Sequence, residues 1–236
     1  MRLTSDTRAG KQAVLALLAA TAFSAQAAIV SHSGAVQLIA APTSVVEGAL
    51  ESDSKAFAFN EKQNHLLTSG LSVDWIAPSF TNAGTIAAGT RVNSHLIHVD
   101  SLDTNTGPNP LILSGMSITF DAQILGLIFS DLNEGAANLL GKSDGVLGAA
   151  GTTYPANNLQ AQAGRRFDFG VEAPTDFFTV SGNRLIFNFD VRVSDGFMDQ
   201  MRIVTAVPEP ASFALAGLAL LGLGLQRRGR QARQQA

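Results

Sequence analysis

In Leu185-Ile186-Phe187-Asn188-Phe189-Asp190-Val191-Arg192 every second residue from Leu185 is apolar, and the residues between them are polar except Ile186. Successive side chains of a β-strand point to opposite faces, so this stretch predicts a strand with one buried and one solvent-facing side. Asp176 to Ser181 is a second β-prone run, and the dipeptide Gly182-Asn183 between the two is typical of a tight turn. The two runs therefore predict a β-hairpin.

Further short β-prone runs are separated by Gly, Asn, Pro and Ser: Ala56 to Asn60, Leu71 to Ile76, Arg91 to Val99, Leu111 to Phe120, Gln123 to Ser130, Arg166 to Glu172 and Met198 to Val204. About nine or ten short strands predict an all-β fold, a single β-sandwich of jelly-roll type. We expect Phe187, Phe189, Ile203 and Trp75 among its buried residues. One short surface helix is predicted where Asp131 can act as the N-cap with Glu134 at N3, and where Gly141 can end the helix.

The N-terminus has the three parts of a secretory signal peptide. These are a basic leader, an apolar stretch and small residues before a cleavage site: Arg2, Arg8 and Lys11, then Ala13 to Phe23, then Ala25 and Ala27. Signal peptidase is therefore expected to cut after Ala27. Residues 1–27 are then the signal peptide, and the mature chain begins at Ala28.

The C-terminus combines a short motif, an uncharged run and a basic end: Val207-Pro208-Glu209-Pro210, then Ala211 to Leu225, then Arg227, Arg228, Arg230 and Arg233. At 1.5 Å per residue this run reaches about 22 Å, less than the ~30 Å hydrocarbon core of a bilayer. Leu, Ala and Gly nevertheless cover every face, and arginines after an apolar helix are retained on the cytoplasmic side. We predict a transmembrane helix over residues 211–225 and a cytoplasmic basic tail over 226–236.

This C-terminal arrangement resembles the PEP-CTERM sorting signal of Gram-negative surface proteins. The resemblance covers residues 207–236 and implies that exosortase, a membrane protease of transpeptidase type, recognises Val207, Pro208, Glu209 and Pro210 and cuts at or near them. It implies that the inner membrane holds the precursor, and that the ectodomain, residues 28–206, then reaches the cell surface or the extracellular matrix. Bacteria with such proteins make exopolysaccharide, biofilm or flocs. The tail is also similar to a segment labelled as an ice-binding protein C-terminus, which implies no binding of ice.

A looser resemblance covers Asp53 to Thr205, which looks similar to an uncharacterised ectodomain that recurs among such proteins. Its most recognisable pieces are Ala58-Phe59-Asn60-Glu61-Lys62-Gln63-Asn64 and Gly151-Thr152-Thr153-Tyr154-Pro155. This resemblance implies no activity.

The region between the two terminal signals is acidic and has no cysteine. Residues 28–206 carry nine basic and 17 acidic residues, a net charge of −8. Such a surface disfavours nucleic acid as a partner and suits solubility. The absence of cysteine excludes disulfides, thiol catalysis and cysteine-ligated metals. We expect no cofactor.

Two patterns suggest catalytic or metal chemistry, and neither is complete. Gly141 to Gly145 matches GxSxG, but a hydrolase of that type needs a strand before the serine, a helix after it and a later histidine. All four histidines precede Ser143. His95 and His98 form an HxxH pair, but residues three apart on a strand point to opposite faces.

Asp100, Asp103 and Asn105 are candidate calcium ligands, because oxygen-bearing side chains alternate near the start of this loop. The loop lacks the twelfth-position glutamate of a complete calcium loop, and the same residues suit an ordinary turn. The sequence favours the turn, and we expect no metal.

Two functional classes remain open on the sequence alone. The first is a surface or matrix protein without catalytic activity, associated with exopolysaccharide or biofilm. The alternative is a jelly-roll carbohydrate-active or carbohydrate-binding protein, which as an enzyme needs two carboxylates roughly 5 to 9.5 Å apart. No local spacing singles out such a pair, and Trp75 and Tyr154 are the sole residues of their types. We therefore expect that the protein is not an enzyme.

Overall fold

The computed structural model describes residues 29–102, 111–130, 138–155, 165, 167, 176–191 and 198–208. In these residues the structure is mostly β-sheet with one short α-helix, which confirms the all-β class. Gln26–Val207 forms one compact unit.

The described residues form thirteen strands and one helix. In chain order they are β1 (Ile29–Ser33), β2 (Val36–Leu38), β3 (Ala56–Asn60), β4 (His65–Leu66), β5 (Leu71–Val73), β6 (Trp75–Ile76), β7 (Gly84–Ile86), β8 (Arg91–Asp100), β9 (Leu111–Phe120), β10 (Ile124–Ile128), α1 (Leu139–Leu147), β11 (Phe177–Ser181), β12 (Arg184–Val191) and β13 (Met198–Ala206).

The strands form two larger sheets and one small one. The smaller of the two has the order β1-β9-β12-β11, and the larger has the order β2-β3-β8-β13-β10-β6, with β4 also paired to β8. β5 and β7 pair separately. β2 and β3 are parallel, whereas β8 and β13 pair antiparallel from Asp100 with Met198 to Val92 with Ala206. β13, the last strand, is therefore a central strand.

The hairpin predicted from the alternating stretch is present as β11 and β12. Ser181 pairs with Arg184, so Gly182 and Asn183 form a two-residue loop. Gly182 has φ 62°, and a positive φ at the first central residue is what a type II′ turn requires. The alternation holds as well, because Leu185 is buried while Ile186 is exposed.

The two larger sheets share one hydrophobic core. Phe187 and Phe189 of β12 and Ile203 of β13 are fully buried in it, as the sequence predicts. Full burial of one such side chain contributes roughly 1.5–3 kcal/mol. Contrary to the prediction, Trp75 is only half-buried. It lies on β6 at the end of the larger sheet, and its ring centroid is 4.5 Å from that of Phe178.

The opposite face of the larger sheet, here called the covered face, is also buried. Leu140 and Leu147 of α1 pack there with Val204 of β13. Farther along, Phe59 of β3 packs with Leu96 of β8. β8 is consequently buried on both sides, and nine of its ten residues are buried.

The described helix continues past its predicted C-terminal end. The expected N-cap, Asp131, lies outside the described residues, and α1 runs through Gly141 instead of ending there. Asn138 is the cap, and its side-chain oxygen accepts the N–H of Gly141 at 3.0 Å. The packing of Leu140 and Leu147 on the sheet outweighs the low helix propensity of two internal glycines.

Other differences concern short elements. β1, β2, β4 and β7 were not predicted, since two to five residues give too short a pattern. The predicted strand Leu71 to Ile76 is split at Asp74, whose carboxylate accepts the N–H groups of Phe129 and Ser130 at 2.7 and 2.8 Å. Of the predicted strand Arg166 to Glu172, Phe167 alone is described.

Within the described residues, no helix combines the length and the hydropathy needed to cross a bilayer. The predicted signal peptide, residues 1–27, and the predicted transmembrane helix, residues 211–225, lie outside those residues.

Candidate functional site

The predicted sorting motif begins where the last strand ends. The N–H of Ala206, the final residue of β13, donates to the carbonyl of Gln123 at 2.9 Å. The carbonyl of Ala206 accepts from Nδ2 of Asn93, also at 2.9 Å. Val207 and Pro208 follow directly and are half-buried. No linker therefore separates the sheet from the motif.

The remaining predicted residues of the two terminal signals lie outside the described residues: Ala25, Ala27, Glu209, Pro210, Arg227, Arg228, Arg230 and Arg233. At the N-terminal end, β1 begins at Ile29, which is buried and pairs with Phe120. A cut after Ala27 would thus leave β1 whole.

His95 anchors the end of β13 from the side of the shared core. Its Nε2 lies 3.2 Å from Oγ1 of Thr205, and its Nδ1 lies 2.7 Å from Oδ1 of Asn60. The ring packs against Phe120 with 4.6 Å between ring centroids. Thr205 is fully buried, so the strand is held up to its last residues.

His98 lies on the covered face, which confirms that the two histidines of the HxxH pair point to opposite sides. Its Nε2 donates to the carbonyl of Leu50 at 3.1 Å, while its Nδ1 accepts from Nε2 of Gln200 at 2.8 Å. These partners require the neutral ring. Among the described residues, no group of three His, Cys, Asp or Glu side chains could hold a metal ion.

The two histidines give the protein an acid-sensitive stability. Burial lowers the pKa of His95 to about 3 and that of His98 to about 4. In the unfolded chain both have a pKa of about 6.5, so the unfolded state binds more protons than the folded state between pH 6.5 and pH 4. The free energy of unfolding should therefore decrease as the pH falls through this range, by up to about 1.4 kcal/mol per pH unit for each histidine.

Denaturant unfolding at pH 7, 6 and 5 measures this dependence. The His98→Gln variant should show a shallower dependence than the parent, whatever its stability at pH 7. The matched control is His32→Gln, because His32 is exposed on β1. If the free energy of unfolding depended equally on pH in the parent and in His98→Gln, His98 would not be a cause of the acid sensitivity.

A fully buried arginine, Arg202 of β13, lies at the centre of a polar cluster on the covered face. Its Nε and Nη2 donate to the two carboxylate oxygens of Glu61 at 2.7 and 2.8 Å. Nη2 also donates to Asp144 at 2.8 Å. Nη1 donates to the carbonyl of Leu140 at 3.1 Å and to Oγ of Ser143. All five N–H groups of the guanidinium thus have acceptors.

Glu61 has no solvent exposure at its side chain and is as fully bonded as Arg202. Besides the arginine, it accepts from the hydroxyls of Tyr154 and Ser94, both at 2.6 Å. Burial raises the pKa of Tyr154, and the Glu61 charge adds to this effect. The Tyr154 ring also lies 5.6 Å from the guanidinium carbon of Arg202, within cation–π range.

Asp144 of α1 extends the cluster to a second arginine. Its two oxygens accept from Arg165 at 2.6 and 3.1 Å. Arg165 also donates through Nε to Gln200 at 2.7 Å, and Gln200 donates to the carbonyl of Val45 at 2.8 Å. We call Glu61, Asp144, Arg165 and Arg202, with Ser94, Ser143, Tyr154 and Gln200, the buried charge cluster.

The two carboxylates of the cluster favour the charged form of Arg202. Burial by itself would lower the pKa of Arg202, but Glu61 and Asp144 outweigh it and raise this pKa. Two arginines face two carboxylates, so the formal charges balance. The cluster connects β8, β13, α1, the residue that follows β3 and the loop that contains Tyr154. Its members are held by hydrogen bonds to one another.

The GxSxG match lies inside this cluster and lacks the geometry of a nucleophile. Ser143 is buried in the middle of α1, where a strand, a turn and a helix would be needed. Its hydroxyl donates to the carbonyl of Leu140 at 2.8 Å and accepts from Arg202. The helix that the sequence predicts to end at Gly141 continues through Ser143 to Leu147.

Sequence reasoning missed the buried charge cluster because its charged members lie in separate segments of the chain. Two signals were present. Arg202 interrupts an apolar strand, and the two segments that look similar to an uncharacterised ectodomain contain Glu61 and Tyr154. The structure joins these two segments through the hydrogen bond from Tyr154 to Glu61.

Of the three candidate calcium ligands, Asp100 alone is described. It ends β8, is buried, and accepts the N–H of Gly48 at 2.8 Å through its carboxylate. This bond anchors the loop before β3 to the sheet. Asp103 and Asn105 lie outside the described residues.

Comparison with known proteins identifies the C-terminal segment. Residues 206–228 match the family described as the PEP-CTERM protein-sorting motif, which confirms the resemblance seen in the sequence. The match starts at the last residue of β13 and ends in the arginine cluster. No curated protein and no solved structure gives a significant match to the chain.

Proposed function

We propose that this chain, which carries a PEP-CTERM protein-sorting motif at its C-terminal end, is an exported protein that exosortase processes and delivers to the cell surface or extracellular matrix. The observation that carries the proposal is the position of the motif directly after β13. The motif follows a complete fold, so removal of the tail leaves the domain whole.

In this proposal each end of the chain has its own processing partner. Signal peptidase removes residues 1–27, and the inner membrane holds the precursor through the helix at 211–225. Exosortase then cuts at or near Val207, Pro208, Glu209 and Pro210. The start of β1 at Ile29 supports this sequence of events, because the first cut leaves the sheet intact.

The exported domain acts in this proposal without catalysis, as a β-sandwich of jelly-roll type associated with exopolysaccharide or biofilm. A shared core between the two larger sheets supports the sandwich. The bonding of the buried charge cluster supports the absence of catalysis, since Glu61 and Asp144 are engaged by arginines and are shielded from substrate. The alternative, a carbohydrate-active or carbohydrate-binding protein, needs carboxylates or aromatic rings that are exposed to a glycan.

Fractionation of the host with and without its exosortase tests the proposal. In the parent strain we expect the protein at the surface or in the medium. In the strain without exosortase we expect the uncleaved chain in the inner membrane. Equal surface delivery in the two strains would contradict the proposal, and depolymerisation of host exopolysaccharide by the purified domain would favour the enzymatic alternative.

A further inference from the structure

The sorting motif of this chain begins at the end of a central strand. β13 lies between β8 and β10, and it is paired on both sides up to its last residues. Ala206 pairs with Val92, and Val207 is the next residue along the chain. One extended residue spans at most about 3.6 Å. The motif is therefore tethered to the sheet by almost no free chain.

The backbone groups just before the motif are already engaged. The N–H of Ala206 is bonded to Gln123 and its carbonyl to Asn93, each at 2.9 Å. The side chain of Thr205 is buried against His95. An enzyme that binds its substrate as an extended strand pairs with the backbone of the segment it recognises. For this chain, such pairing before Val207 requires that the end of β13 first leaves the sheet.

We propose that the folded domain sets the upstream boundary of the exosortase site and slows processing. The enzyme cuts at or after Val207, but its productive binding also extends to Thr205 and Ala206, which it reaches only when the end of β13 transiently frays. This inference rests on the proposed function. It explains how the cut is kept away from Arg202, whose loss would dismantle the buried charge cluster. The processed C-terminus accordingly lies at or after Val207.

A longer tether tests the proposal in the full-length precursor. Gly-Ser-Gly-Ser is inserted between Ala206 and Val207, and the loss of precursor is followed by pulse-chase in the host. We expect the precursor of this variant to be processed about fivefold faster than the parent precursor. This factor corresponds to the net contribution of one hydrogen bond to stability, because the enzyme no longer has to break a bond at the end of β13. The matched control carries the same insertion between Ala87 and Ala88, which are exposed before β8, and should be processed at the parental rate.

Two measurements complete the test. Limited proteolysis shows that each precursor carries a folded domain, and the intact mass of the parent product locates its C-terminus. Equal processing rates for the parent and the tether variant, or a parent product that ends before Val207, would overturn the proposal while leaving exosortase sorting in place. Absence of exosortase-dependent processing in all three chains would instead refute the proposed function, and this inference with it.

Discussion

Replacement of Glu61 by Ala should lower the free energy of unfolding by about 3–5 kcal/mol, the effect expected when one partner of a buried ion pair is removed. Arg202 would keep Asp144 but lose both acceptors on Glu61 at 2.7 and 2.8 Å. The hydroxyls of Tyr154 and Ser94 would lose their acceptor as well. Each buried group left without a partner adds its own desolvation cost.

Denaturant unfolding of the processed protein measures the loss. Asp53→Ala is a suitable control, because Asp53 is exposed and accepts one backbone N–H, that of Leu102 at 3.0 Å. It should cost no more than about 1.5 kcal/mol. The double variant Glu61→Leu with Arg202→Met should lose less stability than Glu61→Ala, since it removes both charges together. A loss below about 1 kcal/mol for Glu61→Ala would show that the cluster does not support the fold.

The hairpin and much of the core could be predicted from sequence because their signals are local. The alternation from Leu185 to Val191 and the Gly182-Asn183 turn are read from neighbouring residues. The long strands β8 and β9 were predicted within one residue at each end. Such patterns depend on a repeat that runs along a single segment.

The covered face could not be predicted in the same way. β8 is buried on both sides by segments that are distant in sequence, so its pattern shows no alternation. The buried charge cluster joins Glu61 to Arg202 across 141 positions of the chain. Asn138 caps the described helix, and the packing of Leu140 on the sheet, which supports this helix, comes from residues that are distant in sequence. The predicted cap, Asp131, lies outside the described residues.

Replacement of Glu209 by Ala should block processing and leave the uncleaved precursor in the inner membrane. Pro208 and Pro210 predict an extended backbone for the motif, since a residue before proline is pushed out of the α region. Glu209, between them, is the charged residue that exosortase would recognise. Membrane insertion should be unaffected, because the apolar run and the arginines are unchanged.

A second variant, in which neutral residues replace the C-terminal arginines, provides the contrast. The replaced residues are Arg227, Arg228, Arg230 and Arg233. Their loss should weaken the retention or orientation of the predicted transmembrane helix before processing, because basic residues are retained on the cytoplasmic side. The motif itself would remain available to the enzyme. The two variants therefore separate recognition from anchoring.

The central claim is that the C-terminal segment is a processed sorting signal, and intact mass spectrometry of surface protein from the parent and the Glu209→Ala strain tests it most directly. We expect the parent protein to begin at Ala28, to end at or near Pro208-Glu209-Pro210, and to disappear from the surface in the Glu209→Ala strain. Surface protein that retains residues 211–236, or a Glu209→Ala variant that is cut and delivered as efficiently as the parent, would contradict the claim.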